Sequence, residues 1–231
     1  NNKDRRSGIA MIILGIDCSS RQSSVCITKD GNAIYTVVQN TPITHSQNLL
    51  PMIKSALEVC CVDIKTVDIF AVTVGPGSFT GLRIGLGLVK GMATALGTPC
   101  VGVSSLSALA AACQLEGVVV PTIDARRNQV YCSIIDEGVT VKEDCCCLVD
   151  DLAEFVENCT KPLFFVGDGG DLCYNRYEKF HNVKKHSIKL PCIALGACLL
   201  AEKKTAVTHF ELTPSYLRLT QAEQELRERQ K

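Results

Sequence analysis

The chain has 231 residues, 46% of them hydrophobic and 21% charged, which gives one or two domains with a sizeable core. Its 24 acidic residues balance 24 basic ones, which excludes the global positive field of a protein that grips nucleic acid through its phosphates. No apolar run reaches the length of a membrane span and no secretory signal is visible. The 14 cysteines lack any C-x-x-C spacing, so they are expected to be thiols in a reducing cytoplasm, not disulfides or a zinc finger.

Residues 1–10 are polar and read as an expression remnant. Residues 11–16 form a short apolar strand ending at Asp17. Residues 24–29 and 33–38 make a hairpin through Asp30-Gly31. His45–Val59 carries Leu49, Leu50, Ile53 and Leu57 at helical spacing, with Pro51 expected to kink it or fix its first turn. Residues 67–74 are a buried strand and 80–96 a helix. The turn between them, Gly75-Pro76-Gly77-Ser78, leaves helix N–H groups that can hold an anion. That helix is apolar on nearly every face, which implies a second protein covering part of it. Gly85, Gly87 and Gly91 lie inside it, each costing about 1 kcal/mol relative to alanine, a cost that close backbone packing would offset. A strand at 100–103 and a helix at 107–114 follow.

The pattern then restarts. Strands fall at 118–123, ending at Asp124, and at 129–135 and Val139–Leu148. Helix 151–158, strand Leu163–Val166, the tight loop Gly167-Asp168-Gly169-Gly170 opening another helix, and helix 193–203 complete it. The order β-β-β-α-β-α-β-α thus occurs twice, with Asp17 and Asp124 at equivalent strand ends. The fold class is α/β: a duplicated ribonuclease H-like, actin-like ATPase (ASKHA) architecture of two mixed-sheet halves around a cleft. The expected subdomains are 11–115, carrying the dimerisation helices, and 116–218, with 219–231 a polar helical tail.

In such a fold a nucleotide sits between the halves. Asp17-Cys18-Ser19-Ser20 is the first candidate phosphate loop and Asp124-Ala125-Arg126-Arg127 the second, with residues 167–170 as the adenosine loop. The candidate nucleotide residues are Asp17, Ser19, Asp124, Gly167, Gly169 and Gly170. Cys18 stands where a glycine would let phosphate approach the backbone, so ATP or ADP is at most a weak ligand and no cofactor is required. His45, His181, His186 and His209 are the only histidines and form no H-x-x-x-H pair, so no metal is expected. A serine-hydrolase elbow is also missing. The basic run from Lys179 to Lys189 reads as a solvated loop.

Several motifs occur in a family-specific order. They are Ile16-Asp17-x-Ser19, His45-Ser46-x-x-Leu49-Leu50-Pro51, the stretch from Gly75 to Gly85, Gly102-Val103-Ser104-Ser105-Leu106, Ile123-Asp124-Ala125-Arg126 and Tyr216-Leu217-Arg218. On these residues the chain resembles the bacterial TsaB (YeaZ) family. The resemblance implies a role in making threonylcarbamoyladenosine beside the tRNA anticodon, as the non-catalytic partner of a TsaD-type transferase whose metal is held by paired histidines. It also implies a TsaE-type ATPase in the complex, indirect contact with tRNA, and a homodimer when the chain is alone. Pairing would use the two N-terminal-half helices, with His45, Leu49, Leu50, Ile53, Leu57, Phe79, Leu82, Leu86 and Val89 at the interface. The alternatives are an actin-like ATPase or small-molecule kinase using Asp17 or Asp124 and, behind it, a glycopeptidase-like hydrolase.

Overall fold

The computed structural model describes residues 10–41 and 43–218. The expected tail at 219–231, and all of the expected remnant except Ala10, lie outside the described residues. The first half begins with β1 (Ile12–Asp17), β2 (Ser23–Lys29) and β3 (Asn32–Gln39), then α1 (His45–Val59), β4 (Ile69–Gly75), α2 (Phe79–Leu96), β5 (Cys100–Ser104) and α3 (Ser105–Cys113). Its sheet runs β3-β2-β1-β4-β5, antiparallel through the hairpins and parallel where β4 flanks β1 and β5 flanks β4. β1 and β4 are buried almost throughout, as central strands covered on both faces must be.

Local chemistry sets the helix ends. Ser78 Oγ accepts the Gly81 N–H at α2's start, and Gly97, in the left-handed region at φ 72°, closes its end. α1 continues through Pro51, which lies on its exposed side. A 3₁₀ turn, Ile64–Thr66, in which Asp63 accepts the Lys65 N–H, precedes β4, which begins at Ile69 and not at Val67 as expected.

The second half contains β6 (Val118–Arg126), β7 (Gln129–Asp136), β8 (Val139–Leu148), α4 (Ala153–Asn158), β9 (Leu163–Val166), α5 (Gly170–Tyr177) and α6 (Ile193–Ala201). Its sheet, β8-β7-β6-β9, has four strands. The duplication is therefore one strand short of the expected repeat among the described residues. Between α5 and α6 the only strand-type pairing among the described residues is the bridge Leu163↔Val183. That segment is lysine-rich and ends at Pro191, a composition unsuited to a strand covered on both faces.

The layers follow from strand alternation. Leu14, Ile16, Val25, Phe70 and Val72 face α1 and α2, whereas Ile13, Cys26, Ala71 and Val101 face α3 and α6. Val119, Ile123 and Val166 of the second sheet face that same α3–α6 layer, and Val118, Val120 and Phe165 face α4 and α5. α6 thus crosses back to roof the first sheet. Gly15 and Gly196 permit this: a Cβ on Gly15 would strike the Ala194 carbonyl and the Cys198 thiol, and one on Gly196 the Ala108 carbonyl.

Candidate functional site

A cleft of about 710 Å³ opens where the ends of β1 and β6 face each other. Beneath its lining residue Ser19 lies Asp17, fully buried. Asp17 Oδ1 accepts from the Ser19 N–H (3.1 Å), the Ser19 hydroxyl (2.7 Å) and the Thr73 hydroxyl (2.7 Å). No described residue donates to Oδ2. Burial pushes the Asp17 carboxyl above its ordinary value, and the bonds from Ser19 and Thr73 only partly oppose this.

The glycine turn packs against the backbone of Cys18 and Ser19. A Cβ on Gly77 would collide with the Ser19 carbonyl and one on Gly81 with the Cys18 carbonyl. Ser78 N–H donates to Ser19 O at 2.7 Å. The expectation of an anion-holding turn is narrowed here: the Ser78 and Gly81 N–H groups are consumed by the β1–β2 loop and by the Ser78 cap. Close backbone packing, expected at Gly85, Gly87 and Gly91, is found at Gly77 and Gly81 instead. A Cβ on Gly85 would make ordinary contacts, and one on Gly87 or Gly91 would meet nothing within 4 Å.

The second candidate phosphate loop is a hairpin whose residues Asp124, Ala125, Arg126 and Arg127 all line the cleft. Arg126 pairs with Gln129, leaving Arg127 and Asn128 as a tight hairpin turn with φ of 55° and 57°. Asp124 there accepts the Arg126 N–H at 2.7 Å and pairs with the Arg126 guanidinium at 3.1 Å. Asp168 accepts the Asp124 N–H at 2.9 Å, and burial raises its carboxyl above the ordinary value. Gly167, at φ 100°, presses on the Thr122 carbonyl. Gly169 and Gly170 pack on Thr122, Val130 and Phe165, so those two glycines serve their own sheet. Of the six nominated nucleotide residues, Ser19 and Asp124 line the main cleft, Asp17 lies beneath it, and Gly167 lines a smaller cavity of about 160 Å³.

The cleft wall carries the guanidiniums of Arg21, Arg126, Arg127 and Arg218 against the carboxylates of Asp124 and Asp168. Its chemistry therefore favours an anion. The C-terminal segment closes one side. Ser215 N–H donates to Val74 O at 2.7 Å, and Arg218 reaches the Ala125 carbonyl at 2.6 Å. Tyr216 stacks on Phe79 at 4.6 Å, with the Arg83 guanidinium 3.9 Å from the Phe79 ring centre. Sequence reasoning singled out Tyr216 and Arg218 only as motif residues; their pairing across the long stretch from α2 has no local signal.

The nominated interface residues divide. Leu49, Ile53, Leu82, Leu86 and Val89 are buried in the chain's own core, so their assignment to a surface is corrected. His45 and Phe79 line the cleft, and His45 Nε2–H donates to Ser20 O at 3.1 Å. Leu57 is half-buried, and Leu50 is 55% exposed. The open surface of α2 is a different stripe: Gly87 and Gly91 are exposed, flanked by half-buried Ile84, Leu88 and Met92. Periodicity could have found this stripe only with knowledge of which apolar side met the sheet.

Residues 39–223 match a protein-family model, described as TsaD, tRNA N6-adenosine threonylcarbamoyltransferase. The tRNA threonylcarbamoyladenosine biosynthesis protein TsaB of Bacillus subtilis is 32% identical over 233 residues, covering 96% of this chain and all of that protein. A crystal structure of an uncharacterized Pseudomonas aeruginosa protein with similarity to peptidase YeaZ superposes with a TM-score of 0.78. It is 28% identical, with 90% of this chain and 100% of that one covered. Component A of Acidaminococcus fermentans (R)-2-hydroxyglutaryl-CoA dehydratase shares the fold at a TM-score of 0.54 and 15% identity, over 84% of this chain and 98% of that one.

Proposed function

The chain belongs to the TsaB (YeaZ) family, with a duplicated ribonuclease H-like fold, and from that premise we propose that it is the non-catalytic partner subunit of a tRNA threonylcarbamoyladenosine-forming complex. In this reading a TsaD-type transferase covers the α1–α2 face and carries the transfer to adenosine N6. A TsaE-type ATPase joins the pair, tRNA is met through the complex, and a second copy covers the same face when the chain is alone. The cleft arginines suit a phosphate-bearing ligand such as ATP or ADP, which pairing does not require.

The observation that supports this reading is the outer stripe of α2. Gly87 and Gly91 each cost about 1 kcal/mol relative to alanine, and among the described residues no contact needs them small. A second backbone laid against the stripe does need them small, and it would bury Ile84, Leu88, Met92 and Leu50 as it approached. Ile84, Leu88 and Met92 are apolar where a solvated helix would carry charge, and Arg83, Lys90 and Thr94 lie at the margins of the stripe.

The test is Gly91→Glu, placed in open space so that the fold tolerates it. Co-elution with the transferase should be lost, and reconstituted tRNA modification should fall at least about tenfold, the equivalent of 1.4 kcal/mol of pairing. Wild-type co-elution by this variant, or turnover of ATP or of threonylcarbamoyl-adenylate by the purified chain alone, overturns the proposal.

A further inference from the structure

The second half gathers three thiols that sequence spacing does not connect. β7 and β8 are antiparallel, with Cys132 opposite Cys145 and Val130 opposite Cys147. Alternate residues of a strand share a face, so Cys145 and Cys147 both project beside Cys132 while Cys146 turns the other way. The ladder shifts register between Cys132 and Ile134, an irregularity of the kind that re-aims a side chain. Cys132 Sγ lies 3.6 Å from Cys145 Sγ and 3.5 Å from Cys147 Sγ, and all three sulfurs fall within 4.8 Å of one another. Among the described residues this is the one such group of histidine, cysteine or acidic ligands.

The geometry is close to that of a bound ion. Metal–thiolate bonds of about 2.3 Å set sulfurs about 3.8–4.0 Å apart in tetrahedral or trigonal coordination. Fitting this trio around an ion thus needs shifts of less than about 1 Å. Cys132 is buried and forms the inner wall, while Cys145 and Cys147 are half-buried and leave the outer side accessible. Sulfur-only donor sets select soft cations over magnesium or calcium. We propose that Cys132, Cys145 and Cys147 form a trithiolate site for a soft, closed-shell cation, zinc or monovalent copper. The ion displaces the thiol protons to solvent, and no oxidant or reductant takes part.

The experiment uses the full chain, reduced and freed of reductant, titrated with zinc or with monovalent copper against a chromophoric chelator. Cobalt serves as a spectroscopic stand-in for zinc. The chain should withhold one equivalent of metal, show a thiolate-to-cobalt charge-transfer band, and melt at a higher temperature with metal than without. Cys145→Ser and Cys147→Ser, both at half-buried positions, should each weaken binding at least about tenfold and abolish the melting shift. Cys61→Ser, at an exposed cysteine outside the cluster, should change neither. Retention of only one of the two ions supports the site and identifies its occupant. The proposal is overturned if the reduced chain withholds no metal, or if Cys147→Ser binds as the wild type does. It also fails if a Cys132–Cys145 disulfide forms in place of metal uptake.

Discussion

Asp17 holds a carboxylate where burial opposes its charge, and Thr73 is one of two side chains that make the site tolerable. The folded chain binds the Asp17 proton more tightly than the unfolded chain does. The carboxyl therefore favours folding most in acid, and that contribution is lost as pH rises through its raised value. Thr73→Val removes a donor to the ionised form and raises the carboxyl further. It should cost about 1.5–3 kcal/mol at a pH above the raised value, where the lost bond is to a charged group, and about 0.5–1.5 kcal/mol below it. Urea unfolding at both pH values measures the difference, and equal losses would contradict the role assigned to Thr73. Sequence alone marked Asp17 as important by its place at a strand end. It could not show that Thr73, far along the chain, donates to Asp17 Oδ1.

At the level of single elements, α2 separates two uses of glycine. Gly81 meets the Cys18 carbonyl, so Gly81→Ala must push the helix off the β1–β2 loop and should cost about 1–3 kcal/mol by overpacking. Gly87→Ala enters open space and should stabilise the isolated chain by roughly 0.8–1.0 kcal/mol. Thermal unfolding of the two variants side by side should give shifts of opposite sign; shifts of the same sign would dissolve the distinction. Most elements were legible from pattern, and α1 was read with its observed bounds because its apolar residues recur at helical spacing up to Cys60. The apolar residues of α2 gave no such guidance about direction. A helix with apolar residues all round announces burial without saying which side meets its own sheet, and Leu82, Leu86 and Val89 were therefore assigned to the wrong side. Arg127, named only as a loop residue, and Asn128 gave no sign of a tight turn, because one with positive φ at both positions usually carries Gly or Asn-Gly.

At the level of the molecule, the two halves are bound through the shared α3–α6 layer, so neither half owns a complete core. Gly196 lies where α6 crosses the Ala108 carbonyl. Gly196→Val should separate these helices, cost about 1–3 kcal/mol, and leave one unfolding transition in which probes on both sheets melt together. Separate melting of the halves would show the layer to be less unifying than its packing implies. The duplication itself was legible in the paired strand ends at Asp17 and Asp124. The missing strand of the second half was not, because a helical and loop remainder was counted as a full repeat.

The return of α6 to the first sheet bears on how the chain is made. Ile13, Cys26 and Ala71 leave the ribosome early, yet Ala194, Ala197 and Cys198, which shelter that side of their sheet, are among the later residues translated. The nascent N-terminal sheet must wait with one flank bare, so a chain truncated before Ile193 would leave its oldest portion as exposed as its newest.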